Sequence, residues 1–299
     1  MPDYRVILDT DIGTDVDDIL ALTVLLNSPQ AELLAVTCVY GDVALRAKIA
    51  MRTLQLRGVE VPVYCGASQP LLRLKEVYWE GHEGGGVLDD VAGLEPAPGF
   101  APHIIAQTVL ENPGEIHIIA IGPLTNLALA LQEAPEIAEK VAGISMMGGV
   151  IRGNDGLSLP IAEHNINCDP HAAHVVFSSG APITMTPLNI TVRSRLTQAH
   201  VERIDAANTD YHHMLADQIR RYPRFARLGH TAPHDPLAVA ALLHADVVET
   251  KQVSVQVEIA GRVSAGATHA KRDPKGNVSL VTAVDVEAFE TLLIEKLAN

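Results

Sequence analysis

Apolar and polar positions in this chain fall into blocks whose period changes, and the first change is abrupt. Val6-Ile7-Leu8 is a continuous apolar run, residues 9–18 are dominated by five aspartates, and Ile19-Leu20-Ala21-Leu22 with Val24, Leu25 and Leu26 resumes at helical spacing. That pattern predicts a strand, a turn and a helix. The pattern then recurs. Residues 32–39 read as a buried strand stopping at Gly41-Asp42, residues 44–56 as a helix closed by Gly58, and residues 61–65 as a short strand stopping at Gly66. Such alternation predicts a parallel sheet with helices on its faces.

Periodicity fades over residues 67–100, where Gly and Pro accumulate and Gly81-His82-Glu83-Gly84-Gly85-Gly86 favours neither helix nor strand. So long an irregular stretch reads equally as a binding flap or a mobile surface loop. Alternation resumes with a helix over 104–110, strands over 115–121 and 141–147, and a helix over 127–131. A second irregular segment covers 150–168, and Asp169-Pro170 opens a helix that Gly180 ends. A short strand is expected over 182–185. Residues 196–245 are mostly helical, broken at 228–236; residues 253–259 alternate with period two, and 285–297 form a closing helix. We expect an open, mostly parallel α/β sheet with helices on both faces, Rossmann-like, in a single domain over 1–299. Its functional groups should gather at the carboxyl ends of the strands.

Composition removes several function classes. The net charge is −14 and aromatics are 4% of the chain, which argue against nucleic-acid partners and base-stacking platforms. No apolar stretch reaches membrane-spanning length, and the N-terminus carries no signal-peptide pattern. The three cysteines, Cys38, Cys65 and Cys168, are widely spaced, so neither a disulfide framework nor a zinc knuckle is indicated. A cytoplasmic enzyme or binding protein acting without membrane or nucleic acid is expected.

The chemistry concentrates between Asp9 and Asp18. Asp9, Asp11, Asp15, Asp17 and Asp18 place five carboxylates within ten positions, where they repel one another. Splaying into water relieves this; so does a divalent cation, which takes oxygen ligands. Gly13 allows close approach of the backbone to a ligand. Several of the residues have purely structural explanations. Asp17 and Asp18 suit a helix first turn, Asp235-Pro236 suits a helix N-cap, and Thr125 suits another. Glu163, His164, Asn165 and Asn167 crowd an irregular segment, and His82, His230 and His234 are ambiguous alone. Arg193, Arg195, Arg220, Arg221 and Arg224 read as solvated charges.

Taken in order, these blocks resemble the nucleoside hydrolase family, the inosine–uridine type N-ribohydrolases. Its Asp-x-Asp-x-Gly-x-Asp-Asp pattern appears as Asp9-Thr10-Asp11-Ile12-Gly13-Thr14-Asp15-Val16-Asp17-Asp18, two residues longer. Gly122-Pro123-Leu124-Thr125-Asn126, Met147-Gly148-Gly149, Ala162-Glu163-His164-Asn165, Asp169-Pro170 and His234-Asp235-Pro236-Leu237-Ala238 follow in family order. The resemblance spans nearly the whole chain. It implies hydrolysis of the N-glycosidic bond of ribonucleosides to base and ribose, in nucleoside metabolism and purine/pyrimidine salvage, by a homodimer or homotetramer. It implies Ca²⁺ held by Asp11, Asp18, Asp235 and the carbonyl of Thr125. Asp11 would activate a Ca²⁺-bound water, and His234 would protonate the departing base. Asp17 would hold the 2′-hydroxyl, and Glu163 and Asn165 other hydroxyls. His82 would touch the base.

The chain departs from the family in places. Asp42 stands where the family often has Asn beside the ribose, and Asn154 is the candidate ribose-binding Asn of an extended segment. His164 replaces a common aromatic, and Asp15, in the two-residue insertion, reads as a solvated acid. Two alternatives follow: a non-catalytic Ca²⁺-dependent nucleoside- or ribose-binding relative, and a haloacid-dehalogenase-type phosphatase, which also begins with a strand and Asp-x-Asp. The phosphatase pattern wants Thr or Val where Gly13 stands and has no place for the His-Asp-Pro block.

Overall fold

The structure is a computed structural model and describes residues 2–89, 92–153 and 158–299. Among the described residues eleven strands form. They are β1 (Tyr4–Thr10), β2 (Ala31–Cys38), β3 (Val63–Cys65), β4 (Ile116–Ala120), β5 (Gly143–Met147), β6 (Ile183–Thr186), β7 (Leu196–Thr197), β8 (His230–Thr231), β9 (Val248–Val257), β10 (Thr268–Arg272) and β11 (Val278–Val284). Nine of them make one sheet in the order β10-β9-β11-β6-β5-β4-β1-β2-β3, and β7 and β8 pair separately. Every pairing from β11 to β3 is parallel, while β9 runs antiparallel to both β11 and β10.

Strand β1 explains the core. Val6, Ile7 and Leu8 are all fully buried, but they face opposite sides. Val6 and Leu8 join the cluster that contains the helices Asp17–Leu26 and His234–Leu243, and Ile7 joins the cluster with the helices Ala101–Glu111 and Pro170–Ser178. A strand covered on both faces has no wet side, so its sequence runs apolar instead of alternating. At roughly 1.5–3 kcal/mol per buried aliphatic side chain, these residues anchor both layers.

The chain moves from β1 to β2 and β3 on one side, then crosses to β4, β5 and β6 on the other. The order therefore reverses between β1 and β4. In open α/β sheets the crevice outside the strand ends at such a reversal is where ligands bind.

Most expected elements are present, with several corrections. The first irregular stretch is irregular as expected, with no named helix or strand among its described residues from Gly66 to Phe100. The second contains a short helix, His164–Cys168. The last strand region, expected only at 253–259, is three strands, because β10 and β11 add to β9 at the sheet edge. All three cysteines are free, and among the described residues no helix is long and apolar enough to cross a membrane.

Candidate active site

The acidic turn leaves β1 at the sheet's reversal point. Asp9 is fully buried and braces this corner, accepting hydrogen bonds from Thr37 Oγ1 at 2.6 Å and Asn126 Nδ2 at 2.7 Å. Burial pushes its carboxyl up to about 7. One residue on, the Thr10 hydroxyl donates to Asp18 at 2.5 Å and accepts the N–H of Ile12 at 3.0 Å. Gly13 has φ +116°, so the turn needs glycine for its angle, and a Cβ there would also have to displace the Ile49 Cδ1 methyl, 2.5 Å away. On the β4 side, a Cβ on Gly122 would meet the Asp11 backbone nitrogen at 2.9 Å, so the two strand exits touch.

A wholly buried arginine holds this turn from within. Arg46 donates to the carbonyls of Asp11, Ile12 (2.9 Å) and Tyr40 (2.6 Å), and to the Thr14 hydroxyl (3.1 Å). Its guanidinium lies 5.0 Å from the ring centroid of Trp79. A lone Arg inside a helical stretch carries no sequence signal of this role.

Asp17 and Asp18 open one helix and Asp235 lies in the first turn of another, and the two helices pack together. Carboxylate oxygens of Asp17, Asp18 and Asp235 all lie within 4.8 Å of one another, and all three residues are buried. Asp17 also accepts the backbone N–H of Asp235 at 3.3 Å. Burial, and then repulsion from neighbouring carboxylates, holds the three carboxyls well above the usual range: Asp15 and Asp18 act on Asp17, Asp11 and Asp15 on Asp18, and Asp17, Asp18, Asp11 and Asp15 on Asp235. Two helix N-termini offset part of this charge. An all-oxygen, concentrated, buried anionic set fits a hard divalent cation. The cap explanations for Asp235 and Thr125 fail. Pro233 and Leu124 are the N-cap residues, and the Thr125 hydroxyl donates instead to Asp169 at 2.8 Å.

These carboxylates line a cleft of about 620 Å³, together with Asp11, Glu163, Asn165 and His234. Glu163 caps the helix His164–Cys168, accepting N–H groups from Gly149 and Asn165 at 2.8 Å and from Ile166 at 3.2 Å. Burial raises its pKa. The Asn165 amide donates to the carbonyls of Ile121 (2.9 Å) and Met147 (3.1 Å), at the exits of β4 and β5, which leaves its oxygen as the acceptor of the pair. His234 shares a 2.7 Å hydrogen bond between Nδ1 and the Thr191 hydroxyl, and burial, with Arg224 adding, pulls it down to about 4. His82 lines the cleft and donates from Nε2 to the Thr14 carbonyl at 2.9 Å, tying the glycine-rich flap to the acidic turn.

Other expectations change. Asp42 is exposed, lies off the cleft and caps the helix Val43–Leu56 through the N–H of Leu45 at 2.9 Å. His230 is likewise off the cleft, in β8. Asn154 falls outside the described residues. Asp15 is not a solvated acid: it accepts the Tyr222 hydroxyl at 2.6 Å. Arg224, expected in solvent, lines the cleft, as do Tyr78, Tyr222 and Arg227, which the sequence did not single out.

Comparison with known proteins now decides the class of the site. The model of the family described as inosine-uridine preferring nucleoside hydrolase matches residues 6–291. This chain belongs to the inosine-uridine preferring nucleoside hydrolase family. Among its relatives, the pyrimidine-specific ribonucleoside hydrolase RihA of Salmonella arizonae is 35% identical, over 98% of this chain and 97% of the relative. The structure of a plant nucleoside hydrolase, PpNRh1, superposes with a TM-score of 0.87 at 31% identity, covering 99% of both chains. A purine-preferring ribonucleoside hydrolase from Gardnerella vaginalis gives a TM-score of 0.86, also at 31% identity, over 99% of this chain and 98% of that one. Nucleoside hydrolases similar to this chain thus carry names with opposite base preferences. The match takes in both the acidic turn and the His234-Asp235-Pro236 block, which the phosphatase alternative cannot accommodate.

Proposed function

We propose that this nucleoside hydrolase cleaves the N-glycosidic bond of ribonucleosides at a Ca²⁺ site built on Asp11, Asp18, Asp235 and the carbonyl of Thr125. The supporting observation is the convergence of buried carboxylates within 4.8 Å at the sheet's reversal point. Asp18 and Asp235 belong both to that cluster and to the shell implied by the sequence resemblance. Asp17 completes the cluster and would take the ribose 2′-hydroxyl, with Asp11 beside it on the cleft wall. Bound there, a divalent cation supplies Lewis acidity, lowering the pKa of water and gripping a sugar diol.

Asp11 would accept the proton of the attacking water. Glycosidic cleavage develops positive charge on the ribose, and surrounding carboxylates stabilise it. The Asn165 oxygen and the Glu163 carboxylate would hold ribose hydroxyls, and their own backbone bonds keep them from swinging away. His234 is neutral at rest; negative charge growing on the departing base would raise its proton affinity and let it serve as acid. The chain would act as one catalytic domain, in the cytoplasm, as a homodimer or homotetramer.

Ribose release from inosine, uridine, cytidine and adenosine, with and without chelator, tests this reading. Release abolished by chelator and restored by Ca²⁺ is expected. Release that survives exhaustive chelation sinks the metal assignment, and saturable binding without release supports the non-catalytic relative.

A further inference from the structure

Two kinds of wall line the cleft. Carboxylates form one. The short helix Pro223–Leu228 forms part of another, and Arg224 and Arg227 stand three residues apart on it. Among the described residues, neither guanidinium makes a hydrogen bond or an ion pair, although acids line the same cleft. Their neighbours behave differently: Arg220 pairs with Asp205 at 2.8 Å and Arg221 with Asp217 at 2.5 Å.

The piece of chain that carries Arg224 is fixed at both ends. Tyr222, just before it, is anchored by its hydroxyl to Asp15, Pro223 sets the first helical turn, and Gly229 closes the helix at φ +71°. Phe225 is buried beneath it. Arg224 itself is half-buried, and its charge bears on Asp15, Tyr222 and His234. A guanidinium partly withdrawn from water on a fixed support, with no acceptor among the described residues, is a group awaiting a ligand's acceptors.

We propose that Arg224 binds the edge of the nucleobase and steadies the charge it carries away, so that nucleosides of oxo bases are selected over those of amino bases. This rests on the ribohydrolase reading above. Arginine has only donors. Its planar fork fits the O6 and N7 acceptors of hypoxanthine or guanine, and it can donate to O4 of uracil. Adenine and cytosine set an amino donor against it instead, and unmatched donors are rejected more strongly than missing contacts. During cleavage the C1′–N bond breaks and its electron pair stays on the base, spreading onto the oxo oxygen that Arg224 holds. The water oxygen bonds to C1′, its proton passes to a carboxylate, and the base nitrogen then takes up a proton.

The test compares kcat/KM for inosine against adenosine and uridine against cytidine, in wild type and in Arg224→Ala and Arg224→Lys, with 4-nitrophenyl β-D-riboside as a reporter that needs no base recognition. Wild type is expected to favour each oxo nucleoside by roughly tenfold or more. Arg224→Ala should collapse both ratios while the reporter changes by less than about threefold, and Arg224→Lys should leave the ratios collapsed because the fork is lost. Thermal unfolding verifies that the variants are folded. A wild type that prefers the amino nucleosides, or an Arg224→Ala that slows all four nucleosides and the reporter alike, overturns the assignment. No cleavage of any riboside overturns the ribohydrolase reading and this one with it; reporter cleavage without base discrimination overturns only this one.

Discussion

The buried guanidinium of Arg46 donates to the main-chain carbonyl of Asp11, so a cation from the second helix holds the backbone of the first acidic residue in the cleft. The same side chain reaches Ile12, Thr14 and Tyr40 and lies under Trp79 of the flap. Arg46→Met would strand several buried carbonyls and remove a buried positive charge that opposes the carboxylates of the turn. A loss of about 3 kcal/mol in urea unfolding is expected. Ca²⁺ affinity, measured by calorimetry on the folded variant, should fall as well. Unchanged stability would mean that the turn holds its shape without the arginine.

Metal removal should make stability depend on pH in a defined direction. Asp17, Asp18 and Asp235 have folded pKa values raised above their unfolded ones. The folded chelated protein then binds more protons than the unfolded chain, so its stability falls as pH rises from about 4, the unfolded carboxyl value. Melting in excess chelator should therefore show a higher Tm at pH 5 than at pH 8. Adding Ca²⁺ at 100 times its Kd should return about 2.7 kcal/mol at the higher pH. Asp235→Asn should raise the chelated Tm at pH 8 and abolish the Ca²⁺ response.

Asp42 offers a contrast. Its carboxylate caps a helix and lies off the cleft. Asp42→Asn keeps the acceptor and should change both kcat/KM and stability little, by less than about 0.5 kcal/mol. A tenfold change in KM would bring the residue back into the substrate site.

Glu163 has two jobs that one substitution separates. It accepts three backbone N–H groups and borders the cleft. Glu163→Ala should cost about 1–2 kcal/mol from the lost cap and also raise KM for the nucleoside. Glu163→Gln, which retains one acceptor oxygen, should recover part of the stability but less of the KM. Equal recovery of both would reduce Glu163 to a cap.

Much of the site was legible because its residues cluster in short blocks at strand exits. Asp17, Asp18 and Asp235 could be picked out, and they do converge. Strands β1, β2, β4 and β5 were legible from their apolar runs, since they are covered on both faces. Strand β10, Thr-His-Ala-Lys-Arg, was not, because an edge strand with exposed positions lacks the apolar run that marks a buried one. Arg46 and Arg224 were missed for the opposite reason. A single arginine on a helix looks the same in sequence whether it faces solvent, the core or a cleft, and only tertiary packing separates these fates. Asp15 was likewise unreadable, since its partner Tyr222 comes 207 positions later.

The meeting of two helix N-termini around three crowded acids has a further consequence. Burial and crowding raise the pKa of these groups, so they give up their hydrogen ions at a higher pH than isolated side chains do. A cation entering the socket must evict them, so its uptake is an ion exchange. Titrating Ca²⁺ into the weakly buffered protein should acidify the solution, which a pH electrode can follow with no substrate present.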